Sequence, residues 1–382
     1  MKNASRRRST APVPILLVVR ELGSGGIERD VAKLALGIDP NRFVCYVAAY
    51  QPEGVRASEL KAAGIPVIHL NVPSLKSPQA IRTAVSFSRF LIQKKIRLVH
   101  AWDASAVFAA PLARLLRVPV VLSSVLGDRR LIDARSQKQF QSTDRLVDAI
   151  VVNCEAMRKH LIQDYSISAG RIELCYNGVN TAEFHPAVEP KPEPVSGASL
   201  VIGAVCVLRV EKQLQLLQEA FAKIAPLIPN SKLLLVGSGP ELPKLQANSL
   251  RLGIQNESIF LPAVSAVAPF LRAIDIFVSC SSSEAFSNSI LEAMACGCCV
   301  IGSRVGGTPE LIVDGERGLL FESGNVEELA CKMTILIKDP DLRRLLAANA
   351  TEFASHNLNM ERNVLCMSGI YETMLRRKGA IA

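Results

Sequence analysis

Aromatic residues make up only 5% of this 382-residue chain, with a single tryptophan, Trp102. A nucleic-acid groove of aromatics interleaved with cations is therefore disfavoured. The net charge of +9 and a pI near 9.1 nevertheless point to an anionic partner. The phosphates of a small ligand and the face of an anionic membrane remain as options. Long apolar runs are also missing: no uninterrupted stretch approaches the ~20 residues that would span a bilayer. The basic start of the chain resembles a leader, but the apolar run Ile15–Val19 is short and Pro12 and Pro14 interrupt the sequence before it. It runs straight into Arg20-Glu21 with no small-residue cleavage site, so it reads as a first buried strand. Metal-ligand spacing is absent too. Of ten cysteines, only Cys296, Cys298 and Cys299 cluster, without a partner pair or a nearby histidine. They read as core thiols of a protein in a reducing cytoplasm, and no metal is expected.

What is present is apolar substance and punctuation. Hydrophobic residues at 49% against 21% charged mark a globular protein, and the length makes two domains the default. The strand Ile15–Val19 leads into Gly23-Ser24-Gly25-Gly26 and then a helical pattern from Ile27 to Leu36. Strand, glycine loop and helix open a Rossmann-like half, with the backbone at Gly25 and Gly26 able to approach a phosphate or sugar. Glu28 stands at the third glycine position of G-x-G-x-x-G, which disfavours a dinucleotide. Strands and helices then alternate, including a long amphipathic helix over Pro78–Lys95 and a strand Leu98–Ala101 that ends at His100, Trp102 and Asp103. That pattern argues a parallel sheet covered on both faces, with ligands beyond the carboxyl ends of its strands. Residues 186–199 hold four prolines and little apolar content, as an interdomain linker would. The opening logic then repeats, with a strand over Leu200–Leu208 and another over Lys232–Val236 that runs into Gly237-Ser238-Gly239-Pro240. Thr308 and Pro309 read as the cap and first residue of a helix, and Asp339-Pro340-Asp341 as a helix start rather than a metal motif.

The stretch Ser281–Val300, SSSEAFSNSILEAMACGCCV, organises the second half. Ser287, Asn288 and Ser289 can cap a helix whose backbone N–H groups favour phosphate. Glu284 sits in the small-residue loop before it, and Glu292 inside the apolar run. Eight helical residues would rise about 12 Å, so these carboxylates are too far apart to share a proton and more plausibly grip two ends of one ligand. Plainer roles stay open: Glu292 could close a capping box begun by Ser289, and Glu284 could be a first-turn acid. Lys212 could be a solvated helix-start lysine, and His100 could be structural.

In this order and context the motifs resemble the retaining, nucleotide-sugar-dependent glycosyltransferases of family 4 (glycosyl transferases group 1). The residues that carry the resemblance are Gly25-Gly26-Ile27-Glu28, Asn177-Gly178-Val179-Asn180 with Phe184, Glu211-Lys212, Gly237-Ser238-Gly239-Pro240, Glu284 with Glu292, and Gly306-Gly307-Thr308-Pro309-Glu310. The resemblance implies an α/β GT-B architecture of two Rossmann-like domains with a cleft between them. An acceptor domain would cover 1–185, a linker 186–199 and a donor domain 200–358, with residues 359–382 forming a helix that returns to the first domain. It further implies that Glu292 binds the nucleotide ribose and Glu284 the donor sugar. The backbone at Phe286, Ser287 and Asn288 would take the diphosphate, and Gly237 and Gly239 would lie on the donor side. Lys212 would neutralise the leaving group in place of a metal, with no cofactor.

Three positions depart from the family pattern. Val207 stands where an arginine is common, leaving Arg209 to reach the phosphate, and Ala285 replaces the glycine of E-G-F. Leu126 replaces a histidine, so the acceptor would be activated by Asp103, Asp128 or the donor phosphate, with His100 and Arg129 as further acceptor-side candidates. The expected activity is hexosyl transfer from a UDP- or GDP-sugar to an acceptor hydroxyl of a glycan or lipid-linked molecule. The expected location is the cytoplasm, with possible contact to the inner membrane face through basic residues at 6–8, 129–130 and 376–377. The alternatives are a catalytically silent nucleotide-sugar-binding protein of the same fold and a sugar-nucleotide epimerase.

Overall fold

The computed structural model describes residues 11–23, 25–129, 132–264 and 266–381, so Ser24, Arg130 and the basic residues 6–8 lie outside the described residues. The chain forms two compact units. The first runs to Val152 and also takes in Asp164–Cys175 and the segment from Asn363 onward; the second takes Asn153–Gln163 and Tyr176–Arg362.

The first unit is a parallel sheet of β1 (Val13–Glu21), β2 (Phe43–Gln51), β3 (Val67–His69), β4 (Leu98–Trp102), β5 (Val120–Ser124), β6 (Ala149–Val152) and β7 (Ile172–Leu174), in the order β3-β2-β1-β4-β5-β6-β7. Its central strands are near-continuous apolar runs because both faces are covered; Ile15–Val19 is at most 1% exposed. Its helices are α1 (Gly26–Gly37), α2 (Val55–Ala62), α3 (Pro78–Gln93), α4 (Ala106–Leu115) and α5 (Ala134–Asp144). Strand order reverses between β1 and β4, and the loops that leave these two strands carry Gly25 and Asp103.

The second unit starts with α6 (Glu155–Tyr165), most of which lies in it, and has the parallel sheet β10-β9-β8-β11-β12-β13. Its strands are β8 (Val201–Val205), β9 (Lys232–Val236), β10 (Ser258–Leu261), β11 (Ile276–Ser279), β12 (Cys299–Ser303) and β13 (Leu319–Phe321). The helices between them are α7 (Leu214–Ile224), α8 (Leu242–Arg251), α9 (Ala268–Ala273), α10 (Asn288–Ala295), α11 (Thr308–Leu311), α12 (Val326–Lys338) and α13 (Pro340–Asn357). Here the order reverses between β8 and β11. The loop after β8 carries Lys212 and the loop after β11 carries Glu284, so the sheet topology itself brings the two together.

Several expectations need correcting. The proline-rich stretch 186–199 does not link the two units but falls inside the second, where Val195 is fully buried and Lys191 reaches Asp275 at 2.9 Å. The first unit does not run unbroken to 185, because 153–163 and 176–185 group with the second. The helix at Thr308 is capped by Gly307, with Thr308 and Pro309 as its first two residues. By contrast, Asp339 caps α13 through its side chain, accepting from the Leu342 N–H at 2.9 Å. The C-terminal helix α14 (Met360–Arg377) joins the first unit from Asn363 onward, burying Tyr371 and Leu375 and accepting an Arg42 Nε bond on Glu372 at 2.8 Å. Cys296, Cys298 and Cys299 are buried thiols; burial pushes Cys296 and Cys299 up to about 12. Among the described residues no group of His, Cys, Asp and Glu is placed to hold a metal ion, and no helix is long and apolar enough to cross a membrane.

Candidate active site

Lys212 closes a single turn of helix over Val210–Lys212, and Gln213 adopts a left-handed conformation (φ 46°) before α7 begins. The lysine Nζ meets Glu284 Oε2 at 2.5 Å, and Ser281 Oγ donates to the same oxygen at 3.2 Å. The two loops are also joined through backbone, with the Ser282 N–H on the Glu211 carbonyl at 2.8 Å. Burial works against the charge on Lys212, but the Glu284 carboxylate outweighs it and holds the lysine above its ordinary pKa. Lys212 is thus a fixed cation rather than a solvated helix-start lysine. Arg209 differs: its side chain is 62% exposed and its ion pair is a loose 3.9 Å approach to Glu211.

Glycines set these loops. Gly306 lies at φ 49°, where a side chain is strained, and a Cβ there would fall 1.6 Å from the Glu284 carbonyl oxygen. The Gly307 N–H then donates to the Ala285 carbonyl at 2.8 Å, so the Gly306-Gly307 turn is the floor on which Glu284 rests. Gly237 (φ 151°) plays the matching part under the Lys212 loop, since a Cβ would fall 1.8 Å from the Cys206 carbonyl oxygen. Gly239 lies in the same turn, where the Leu208 N–H reaches the Ser238 carbonyl at 3.0 Å and the Glu241 N–H returns to Leu208 at 3.1 Å. Both glycines shape the loop after β8.

Beyond Glu284 the chain turns into α10. Ser287 is its N-cap and accepts from the Ile290 N–H, while Phe286 is buried and tilts on Tyr176 with ring centres 5.3 Å apart. Asn177 donates to Asn288 Oδ1 at 2.9 Å, which assigns part of the Asn177–Asn180 motif to fixing the helix mouth. With Ser287 as cap, Glu292 is the fifth helical residue, two beyond the capping-box position, and it is only 3% exposed. Capping by Ser289 therefore does not account for it.

One role escaped the sequence. Glu310 accepts the N–H groups of Glu155 and Ala156 at 2.9 and 2.8 Å and the Tyr176 hydroxyl at 2.8 Å. It caps α6 from a distant part of the chain, and local spacing carries no sign of that.

In the first unit Gly25 caps α1 and accepts the Arg29 N–H at 3.2 Å; Gly26 begins the helix, and the nearby Glu28 is buried, which raises its pKa. Asp103 sits at φ 46° at the end of β4. Its carboxylate accepts the Leu126 N–H at 3.3 Å, and desolvation outweighs that bond and the charge of Arg129 to push its pKa up to about 6. Two acceptor-side expectations fail here. His100 is fully buried, with Nδ1 2.7 Å from the Tyr371 hydroxyl and Nε2 2.8 Å from Ser124 Oγ, and it stacks on Trp102 at 3.8 Å. Burial drops its pKa to about 3, so it is a neutral structural bridge. Arg129 is 4% exposed and bidentate to Asp144 at 2.5 and 2.9 Å, with Phe140 and Tyr165 rings against its guanidinium. Asp128, next to it, is partly exposed.

Two family profiles match, one over each half: the Glycosyltransferase Family 4 description over residues 24–183 and the Glycosyl transferases group 1 description over 189–353. The N-acetyl-alpha-D-glucosaminyl L-malate synthase of Bacillus anthracis is 35% identical over 48% of this chain and 48% of that protein. The match thus spans about half of that relative. A D-inositol 3-phosphate glycosyltransferase of Corynebacterium kroppenstedtii is 28% identical over 94% of this chain and 83% of its own length. Among solved structures, Anabaena HepE in complex with UDP-glucose superposes with a TM-score of 0.83 at 22% identity, covering 94% of this chain and 99% of that one. The likeness to HepE concerns the fold; the two profiles, which between them take in most of the sequence, concern descent. The chain belongs to the family 4, group 1 glycosyltransferases and has their GT-B fold.

Proposed function

We propose that this glycosyltransferase moves a hexose-type sugar from a UDP- or GDP-linked donor to an acceptor hydroxyl, with retention of anomeric configuration and without a metal. The observation that carries the reading is the 2.5 Å Lys212–Glu284 pair, set beside the mouth of a Ser287-capped helix at the point where the second sheet reverses its order. Each part has a donor-side task. Glu292, a carboxylate one turn inside α10, accepts two hydrogen bonds from the ribose diol. The N-terminus of α10, at Phe286, Ser287 and Asn288, takes the diphosphate. Glu284 accepts from a sugar hydroxyl, and Lys212 offsets the charge that grows on the departing phosphate. Arg209, exposed on the same loop, is a second cation for that phosphate, and Gly237, Gly239, Gly25 and Gly26 shape the loops.

As the bond between the anomeric carbon and the phosphate oxygen breaks, the acceptor oxygen bonds to the same face of that carbon. The acceptor proton passes to the leaving phosphate or to Asp103, whose raised pKa suits a base near neutral pH. Asp128 is the remaining carboxylate candidate on that side. Glycans and lipid-linked molecules are the acceptor classes, and the cytoplasm, where nucleotide-sugars are made, is the location. The malate and inositol-phosphate relatives take small anionic acceptors by their names, and the surplus of +9 suits that class equally well.

A thermal-shift screen against nucleotide-diphosphate sugars tests the donor role, since a ligand that binds only the native state raises the melting temperature by mass action. Release of nucleotide diphosphate that disappears in Glu284→Ala supports the enzyme reading. Donor binding with no turnover in any pairing, unaffected by Glu284→Ala, would leave a silent nucleotide-sugar-binding protein instead.

A further inference from the structure

Between Glu59 and Asp103 the chain carries no carboxylate, while seven lysines and arginines fall in the same stretch. Helix α3 lies at its centre. It buries Ala80, Thr83, Phe87 and Leu91 against the first unit. The opposite face is apolar as well: Ile81, Val85 and Ile92 are 69%, 46% and 63% exposed, and their spacing of four and seven residues sets them in one stripe. The exposed Arg82 and Arg89 flank that stripe, with Lys94 and Lys95 at its end. Leu75, half-exposed just before the helix, extends the apolar line and forms the lip of a cavity of about 840 Å³ that Tyr50, Val72, Phe108 and Phe140 help to line.

Three aliphatic side chains in register on one exposed face form a contiguous apolar stripe, the kind of surface that marks a protein or membrane contact. We propose that α3 and Leu75 dock the protein on an anionic phospholipid bilayer, with Ile81, Val85 and Ile92 below the headgroups and Arg82, Arg89, Lys94 and Lys95 on lipid phosphates. The charge pattern selects this occupant. A second copy of the chain meeting the same face about a two-fold axis would set these cations against their own images. A soluble polyanion would satisfy the cations and leave the stripe in water. A helix with an apolar stripe and a cationic flank binds in the interface plane by burying the stripe and drawing anionic lipid to the flank. The docking face adds a partner to the transferase reading and identifies a surface other than the chain ends. It does not depend on the donor-site roles, and it places the mouth of the Tyr50–Phe140 cavity beside the lipid.

The full-length protein is expected to co-sediment with vesicles of 70% phosphatidylcholine and 30% phosphatidylglycerol and not with pure phosphatidylcholine. Added salt should weaken this binding. Arg82→Gln with Arg89→Gln should lower the partition coefficient roughly thirtyfold, from about one interfacial charge contribution per residue. Ile81→Glu with Val85→Glu and Ile92→Glu should lower it by at least about tenfold, with circular dichroism and the melting temperature unchanged because these side chains are exposed. Equal binding to neutral and anionic vesicles, no binding to either, or unchanged binding by the triple variant would overturn the proposal. So would a wild-type dimer in sedimentation equilibrium that the triple variant turns into a monomer. Donor-induced thermal shifts in the same variants separate the two ideas: if they persist while vesicle binding is absent, the docking face fails and the transferase reading stands.

Discussion

Lys212 Nζ and Glu284 Oε2 lie 2.5 Å apart, the only close charge contact between the loops that leave β8 and β11 among the described residues. Both side chains are mostly buried, at 22% and 16% exposed, so removing one partner strands the other in a poorly hydrated place. Glu284→Gln and Lys212→Met are each expected to cost about 1–3 kcal/mol in denaturant unfolding. The combination should recover part of that loss, because no unpaired charge remains. Turnover should behave otherwise: each single variant falls about 10²–10³-fold in kcat, and the combination recovers none of it. Recovery of both together would reduce the pair to a structural bridge.

The Gly306-Gly307 turn gives a second, independent handle on Glu284. Gly306→Ala puts a Cβ at a positive φ and into the Glu284 carbonyl, so the Glu284 loop must shift. The expected cost is on the order of 2 kcal/mol or more in stability, with weaker donor binding in the part that still folds. Calorimetry on the folded fraction reads the second quantity. Unchanged donor affinity would mean that the turn and the sugar site are uncoupled.

The contrast between these two pairs shows what could be read from sequence. Parallel α/β architecture followed from apolar runs such as Ile15–Val19 alternating with amphipathic helices, and the Lys212 and Glu284 loops followed from motif order. What stayed hidden was non-local. Glu310 is ordinary in its own neighbourhood and acquires its task only when folding brings the start of α6 to it. His100 invites a catalytic reading at a strand end, yet its partner Tyr371 lies 271 positions away on α14. The polar helix α5, ARSQKQFQSTD, has no apolar stripe for periodicity to detect.

Glu310 therefore separates scaffold from chemistry. Glu310→Gln keeps the shape but loses a charge that accepts two backbone N–H groups and the Tyr176 hydroxyl. A loss of about 1–3 kcal/mol in stability is expected. Donor affinity, measured well below the melting temperature, should change less than about threefold, in contrast to Glu284. A selective collapse of donor binding without loss of stability would place Glu310 at the ligand.

Glu292→Gln tests the ribose assignment. The amide fills the same volume, but its NH2 group replaces one acceptor oxygen with a donor, so one of two hydrogen bonds to a diol is lost. Affinity for a nucleotide diphosphate should fall about 10–100-fold. Affinity for the free sugar, which does not touch this residue, should stay constant. Equal weakening of both ligands in titration calorimetry would indicate a general disturbance of α10.

Asp103 supplies a pH signature. With its pKa raised from 3.8 to about 6, the folded state binds more protons here than the unfolded chain between those values. This group therefore removes stability as pH rises from about 4 to about 6, and at pH 7 the charged carboxylate is a net burden on the order of 3 kcal/mol. His100 acts in the opposite sense: its pKa is lowered from 6.5 to about 3, so its contribution is lost as pH falls below about 6.5. A variant isolates the aspartate from the histidine. Asp103→Asn keeps an oxygen for the Leu126 N–H and tolerates the left-handed backbone, as asparagine does. It should be more stable than the native chain at pH 7, with the advantage shrinking to nothing by about pH 4. If Asp103 also takes the acceptor proton, kcat/KM of the native enzyme rises through pH 6 as the carboxyl ionises, and the variant loses that limb along with most of its rate. A stability difference that does not vary with pH would refute the raised pKa. A full acid limb retained in Asp103→Asn would pass the role to Asp128 or to the leaving phosphate.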